Sequence, residues 1–458
     1  MERQPDRALA SGEGPPLPGG LLMGIDAYTP GSGDTNYSVL EYRLSLRYRV
    51  ASNRLDGEAV LIAVANKPVD SLAVDLVGLR VTKVRLDGQR RTRFRQGSRG
   101  VVVTADEALR AGQVFQLFIR YSGSPTPRST RWGKIGWEEL EDGVLVAGQP
   151  NGAPTWFPCN DRPADKAQYR IELTTEEPYV VAATGDLVSQ VSSSGRGTWT
   201  FAQTTPTSTY LVALHIGRYR SEPLSLRGVP GALYYPPGSR APVMAELAPL
   251  PAMLAAFEER FGPYPMARYD VVVTPDALEI PLESQGMAVF GSNHLDGSGE
   301  CERLVAHELA HQWFGNSVGI TRWRDIWLNE GFCCYAEWLW SEASGGPTCH
   351  EQARLHRRIL AGQPEDVVLT DPGPDLLFDD RVYKRGALTL HALRSIVGDD
   401  AFFAVLRGWT ESRRHSTGTT RDFITLAEQT TGHPLGRLFE EWLSTKPLPK
   451  LPRRSRQD

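Results

Sequence analysis

His307 and His311 stand four residues apart in Val305-Ala306-His307-Glu308-Leu309-Ala310-His311-Gln312-Trp313-Phe314. On a helix this spacing stacks the two imidazoles on one face, one turn apart. Two imidazoles so placed can reach one tetrahedral ion at about 2.0–2.1 Å. Glu308 follows the first histidine, where its carboxylate can contact a metal-bound water instead of the metal. Leu304, Val305, Leu309, Trp313 and Phe314 mark a second, buried face of the same helix. After eighteen intervening residues His311 is followed by Glu330, in Trp327-Leu328-Asn329-Glu330-Gly331-Phe332, at the start of another long periodic segment. That interval lets one helix end, turn near Gly315 and Gly319, and return as a packed partner. The result is two histidines, one carboxylate and an open position, the set used by zinc hydrolases.

Ahead of this pair the chain has another rhythm. From Tyr37 to about Pro206 it alternates in short runs such as 44–50, 101–104, 115–119 and 169–173, with Asp56-Gly57 and Asp87-Gly88 as turn signals. Period-two runs broken by turns predict an antiparallel β domain. Strand-like segments continue through Leu233-Tyr234-Tyr235. Residues 243–261 then read as a helix that starts or kinks at Pro249 and Pro251. Beyond about residue 300, helical periodicity covers roughly 301–317, 327–344, 348–361, 383–397, 399–413 and 420–431. The expected fold class is α+β. A mobile Gly-, Pro- and Ser-rich segment over 1–36 precedes a β domain over 37–206. A mainly helical domain over 207–450 and a tail over 451–458 follow, with the boundary near 206–222.

Composition narrows the partners. The formal charge is −4, from 50 basic and 54 acidic residues, which argues against a nucleic-acid binder. The five cysteines, Cys159, Cys301, Cys333, Cys334 and Cys349, are odd in number and form no C-x-x-C pair. They read as free thiols in a reducing compartment. Cys333 and Cys334 read as small apolar residues on a buried helix. The first 24 residues contain no signal-peptide core, and no run of 18 apolar residues occurs. The expectation is a soluble, cytoplasmic protein without a membrane partner.

The pattern His307-Glu308-x-x-His311, eighteen residues, then Glu330, resembles the gluzincin aminopeptidases, which include aminopeptidase N and leukotriene hydrolase. Its Trp327–Phe332 context and the run His311-Gln312-Trp313-Phe314-Gly315-Asn316 are similar too. The resemblance extends from about Tyr37 to Pro452. It implies an N-terminal antiparallel β saddle domain followed by a thermolysin-like, mainly helical catalytic domain. It further implies one zinc ion per chain on His307, His311 and Glu330, with Glu308 as general base toward a zinc-activated water. The substrates it implies are peptides with a free N-terminus.

Removing one residue from a free N-terminus requires a carboxylate near the metal that recognises an ammonium group. Ile280-Pro281-Leu282-Glu283-Ser284 aligns with the family's Gly-Ala-Met-Glu-Asn strand on its glutamate alone. The resemblance assigns amine binding to Glu283, with Glu279 as the competing choice. Val382-Tyr383-Lys384-Arg385-Gly386 resembles the family's Tyr-Glu-Lys-Gly segment, which makes Tyr383 a donor to the tetrahedral oxyanion. Lys384 replaces the usual glutamate. Gln149, in Ala147-Gly148-Gln149-Pro150, falls where the family lines its first side-chain pocket. The Phe157–Ala167 stretch, similar to the family's Cys-Phe-Asp-Glu-Pro segment, reads as structural.

Large relatives continue into further domains that cover the active site, so this short form is expected to have a more open cleft. Two other readings stay open. One is hydrolysis of a lipid epoxide on the same zinc, and the other is a catalytically silent binding module. The sequence gives neither the preferred first residue nor the oligomeric state.

Overall fold

The computed structural model describes residues 26–453. Most of the segment expected to be mobile, and the last five residues of the tail, lie outside the described residues. Residues 26–36, counted with that mobile segment, are pinned instead. The Asp26 carboxylate accepts the Trp323 amide at 2.7 Å, and Asp75 accepts the Gly33 amide at 2.8 Å. Asp34 accepts the Ala73 and Asn36 amides, and Tyr28 donates to Asp371 at 2.5 Å. Composition missed this because the aspartates work as backbone acceptors, not as solvated loop charges.

The chain then builds a seven-stranded sheet in the order Asp186–Ser193, Arg196–Thr207, Ala167–Glu176, Tyr37–Arg49, Arg54–Ala65, Val114–Gly123 and Arg80–Leu86. Its central pair, Tyr37–Arg49 with Ala167–Glu176, runs parallel, a departure from the purely antiparallel expectation. The long intervening chain supplies the crossover that parallel pairing needs. A bulge between Val39 and Glu41 resets the alternation, so that Tyr37 and Val39, then Tyr42, Leu44, Leu46 and Tyr48, all face inward. Asp56-Gly57 makes no turn. It lies within Arg54–Ala65, and the reversal comes at Val50–Ser52 and Asn53, whose φ is +41°. Gly57 is required by packing, since a Cβ there would lie 2.4 Å from Cζ of Tyr121. A five-stranded sheet and a three-stranded sheet complete this half around one apolar core.

A second core follows. Its mixed sheet runs Arg220–Leu226, Val229–Tyr235, Asp270–Val273, Met287–Phe290 and Leu282–Ser284, with the last as an edge strand. Between its strands the expected single helix over 243–261 is two, α1 (Arg240–Glu246) and α2 (Leu250–Phe261). Pro249 occupies the cap of α2 and Pro251 its first turn, where no amide is needed. Helices α3 (Glu302–His311), α4 (Trp327–Ala343), α5 (Cys349–Leu360), α6 (Asp380–Val397), α7 (Asp399–Ser412) and α8 (Thr420–Thr431) pack beside this sheet. Thr348 and Thr419 start α5 and α8 as capping boxes. Helix α3 is shorter than the expected 301–317, because the chain leaves it through wide turns closed by the Asn316, Ser317 and Val318 amides around Gly315, φ +114°. Among the described residues, no helix is long and apolar enough to cross a membrane.

Candidate metal centre

Helix α3 is buried along its second half, and its His307, Glu308 and His311 face the first turn of α4. The Nε2 atoms of His307 and His311 each lie 3.5 Å from Oε2 of Glu330. A tetrahedral ion with ligand bonds near 2.1 Å has edges of about 3.4 Å, so the three atoms sit at ligand spacing. The other ring nitrogens are already committed. Nδ1 of His307 is 2.7 Å from Oε1 of Glu337, and Nδ1 of His311 is 3.1 Å from the Phe314 carbonyl. Both partners accept, so each Nδ1 carries a proton and each Nε2 is the ring nitrogen left facing the centre.

The electrostatics ask for a cation. Burial opposes charge on both imidazoles, yet hydrogen bonds donated to the Glu330 and Glu337 carboxylates hold His307 up at about 9. His311 is also raised, against burial, by Cys333, Glu330 and Glu283. Burial would raise Glu330, but the two histidines outweigh it and hold its carboxyl down at about 2. Oε2 of Glu308 is buried and has no hydrogen-bond partner among the described residues. Two imidazole nitrogens converging on one carboxylate oxygen, with an unused carboxylate oxygen beside them, fit a zinc ion that replaces the imidazole protons and keeps an open position.

The other residues singled out in the sequence converge here. Glu283 lies on the edge strand Leu282–Ser284, and ligand atoms of Glu283, Glu308 and His311 come within 4.8 Å of one another. Burial, with the nearby charges of Glu330 and Glu308, pushes its carboxyl up to about 7, while His311 works against the shift. Gln149 reaches across from the β half, and its Nε2 donates to Oε1 of Glu283 at 2.6 Å. The ring of Tyr383, in the first turn of α6, stacks near His307 with centroids 6.1 Å apart. Burial and the surrounding carboxylates keep its phenol protonated. A close crossing sets Tyr383 against α4, for a Cβ on Gly331 would lie 2.8 Å from the Cα of Gly386. Glu279 has no such contact with the metal residues among the described groups.

Sequence reasoning missed the residues that hold these in place. Glu337 follows Glu330 by seven residues, two turns along the same helix face, and that spacing was the available signal. Arg303 donates to its other oxygen at 3.1 Å. Gln312 and Asn316 donate to the Ser284 carbonyl at 3.1 and 2.8 Å, and Gln312 accepts the Gly286 amide at 2.9 Å. The segment after the second histidine therefore ties the Glu283 strand to the metal helix. Lys166 donates to the Asn316 and Ser317 carbonyls, 2.8 Å each, from the β half.

Fold and site together define a gluzincin-type metal centre shared between a β half and a helical half. Comparison with known proteins gives the family. The Peptidase M1 N-terminal domain matches residues 38–211, and the Peptidase family M1 domain matches residues 246–442. The M1 zinc metallopeptidase of Deinococcus radiodurans superposes with a TM-score of 0.85 at 30% identity, over 93% of this chain and 98% of that one. A glutamate-to-alanine mutant of an M1 zinc metallopeptidase from the same organism, bound to a Tyr-Ser-Ala substrate, gives 0.87 over 94% and 99%. Aminopeptidase 2 of Candida albicans is 24% identical over 441 residues, 89% of this chain and 47% of that protein. Aminopeptidase A of Gloydius brevicauda is 27% identical over 383 residues, 77% of this chain and 39% of that protein. The chain thus spans half or less of these two curated relatives. It belongs to peptidase family M1.

Proposed function

We propose that this chain is a zinc aminopeptidase that removes the N-terminal residue from peptides. One observation carries the reading. Glu283 stands within ligand reach of Glu308 and His311, its oxygen fixed by Gln149, where a carboxylate can hold a substrate's free ammonium beside the metal. An arriving ammonium favours the ionised carboxylate and so strengthens its own binding.

His307, His311 and Glu330 would hold the ion, oriented by Glu337 and the Phe314 carbonyl. When bound, zinc supplies a Lewis acid that acidifies a water and polarises the scissile carbonyl. Glu308 takes the proton of the attacking water on its free oxygen and returns it to the leaving amine. Tyr383 donates to the carbonyl oxygen as negative charge builds there. Domains over 37–206 and 207–450 both contribute to the site in this reading, the first through Gln149.

The experiment is a panel of aminoacyl-arylamides beside their N-acetylated counterparts, with and without a chelator. Cleavage confined to free amines and abolished by the chelator is expected. Equal cleavage of blocked substrates would sink the aminopeptidase reading.

A further inference from the structure

One side chain at the metal centre is used by neither the motifs nor the proposed chemistry. Tyr210 lies in a short turn, Thr209–Leu211, where the β half gives way to the second core. The turn is anchored on three sides. Thr209 Oγ1 donates to Oδ1 of Asp161 and Ser208 Oγ to the Pro163 carbonyl, both at 2.7 Å, and the Leu211 carbonyl accepts the Gln285 amide at 3.0 Å. The Tyr210 ring packs on Trp323 with centroids 4.9 Å apart. This aims the hydroxyl at the turn after α3, 3.5 Å from the Gly315 carbonyl.

The Asn329 side chain and the charges of Glu283, His311 and Glu330 lie near enough to act on the hydroxyl. Asn329 immediately precedes the ligand Glu330 and is 1% exposed, yet neither polar atom of its side chain has a conventional hydrogen bond among the described residues. A buried amide left unpaired costs about 1–3 kcal/mol, so an apolar residue would pack there at lower cost. The amide and His311 crowd one spot. A Cβ on Gly315 would lie 3.3 Å from Nδ2 of Asn329 and 3.1 Å from Nδ1 of His311. Phenol, amide, imidazole and the Gly315 carbonyl thus form one polar cluster behind two ligands, and its phenol comes from the turn that joins the two halves.

We propose that Tyr210 and Asn329 are positioning residues of the metal centre: the turn joining the two halves sets a phenol beside Asn329, and the pair holds Glu330 and the His311 turn at ligand geometry. The inference rests on the assignment of His307, His311 and Glu330 as ligands. Outer partners of this kind change metal affinity by about 10–100-fold when removed.

The test uses the full chain with Tyr210→Phe, Asn329→Ala and both together. Zinc affinity is read by competition with a chromophoric chelator, and melting of the zinc-free chains is followed in parallel. Each single variant should bind zinc about 10–100-fold more weakly, and the double variant no more weakly than the worse single one, as expected of a pair acting as a unit. Zinc affinities within about twofold of the parent would overturn the inference, including when zinc-free melting falls, since that is the signature of packing alone. If Tyr210→Phe does not fold, Asn329→Ala decides by the same criterion. A parent chain that binds no zinc would overturn the ligand assignment itself, a result visible before any variant is compared.

Discussion

Nε2 of Gln149 donates to Oε1 of Glu283 at 2.6 Å, joining residues 134 positions apart across the two halves of the molecule. The contact fixes the carboxylate without neutralising it. Glu283 sits on an edge strand, Leu282–Ser284, that is paired on one side only. Its backbone is held from the metal side by Gln312 and Asn316, and its side chain from the β half by Gln149. The position of Glu283 relative to His311 and Glu308 is therefore set by contacts from both halves.

Glu283→Gln should raise KM for aminoacyl-arylamides and lower kcat/KM by about 10–100-fold, the worth of a hydrogen bond to a charged group. Gln149→Ala leaves the charge and should cost less, about 2–10-fold. Steady-state kinetics on both variants checks the ranking. A larger loss from Gln149→Ala would assign amine recognition elsewhere.

Glu308 brings to the centre a buried carboxylate oxygen that no other described residue engages. Glu308→Gln keeps shape and removes the proposed base. Zinc content by mass spectrometry should stay at one per chain, while kcat should fall by about 100–10,000-fold. Full turnover by this variant would remove Glu308 from the chemistry.

The candidate metal cluster was legible because helix geometry alone brings positions 307, 308 and 311 together, and a second helix start places Glu330 opposite them. Tyr383 and Gln149 were placed by resemblance, and Glu283 only partly, since its strand shares one residue with the family motif. Tyr210, Asn329 and Lys166 were invisible, because their contacts exist only once distant segments meet. Local signals also misled where packing overrode them. Asp56-Gly57 reads as a turn, yet Gly57 is there to admit Tyr121. The loop-like composition of residues 26–36 hid aspartates that cap backbone amides on both halves.

Glu337→Gln should weaken zinc binding by about 10–100-fold. The carboxylate lies 2.7 Å from Nδ1 of His307 and is paired with Arg303 at 3.1 Å. An amide at 337 can turn its N–H₂ toward His307 and offer the wrong tautomer a partner. Chelator competition measures the affinity. An unchanged value would mean that burial alone orients His307.

Asp161 offers a pH test of the β half that does not involve the metal. Its carboxyl is 3% exposed, Oδ1 accepts the Thr209 hydroxyl at 2.7 Å, and Oδ2 has no hydrogen-bond partner among the described residues. Burial pushes it up to about 6, partly offset by Thr209 and Arg128. The folded chain therefore binds this proton more tightly than the unfolded chain. The sign follows: the contribution is fully present below the ordinary value of 3.8 and is lost as pH rises through about 6. Asp161→Asn keeps the acceptor for Thr209 and removes the charge. A tenfold difference in proton affinity between folded and unfolded chains is worth ~1.36 kcal/mol. The variant should therefore stabilise the protein at pH 8 by about 1.4 kcal/mol more than it does at pH 5. Urea unfolding of parent and variant at the two pH values measures the difference. An equal effect at both would mean that Asp161 is ionised in the folded protein throughout this range, with Arg128 outweighing burial.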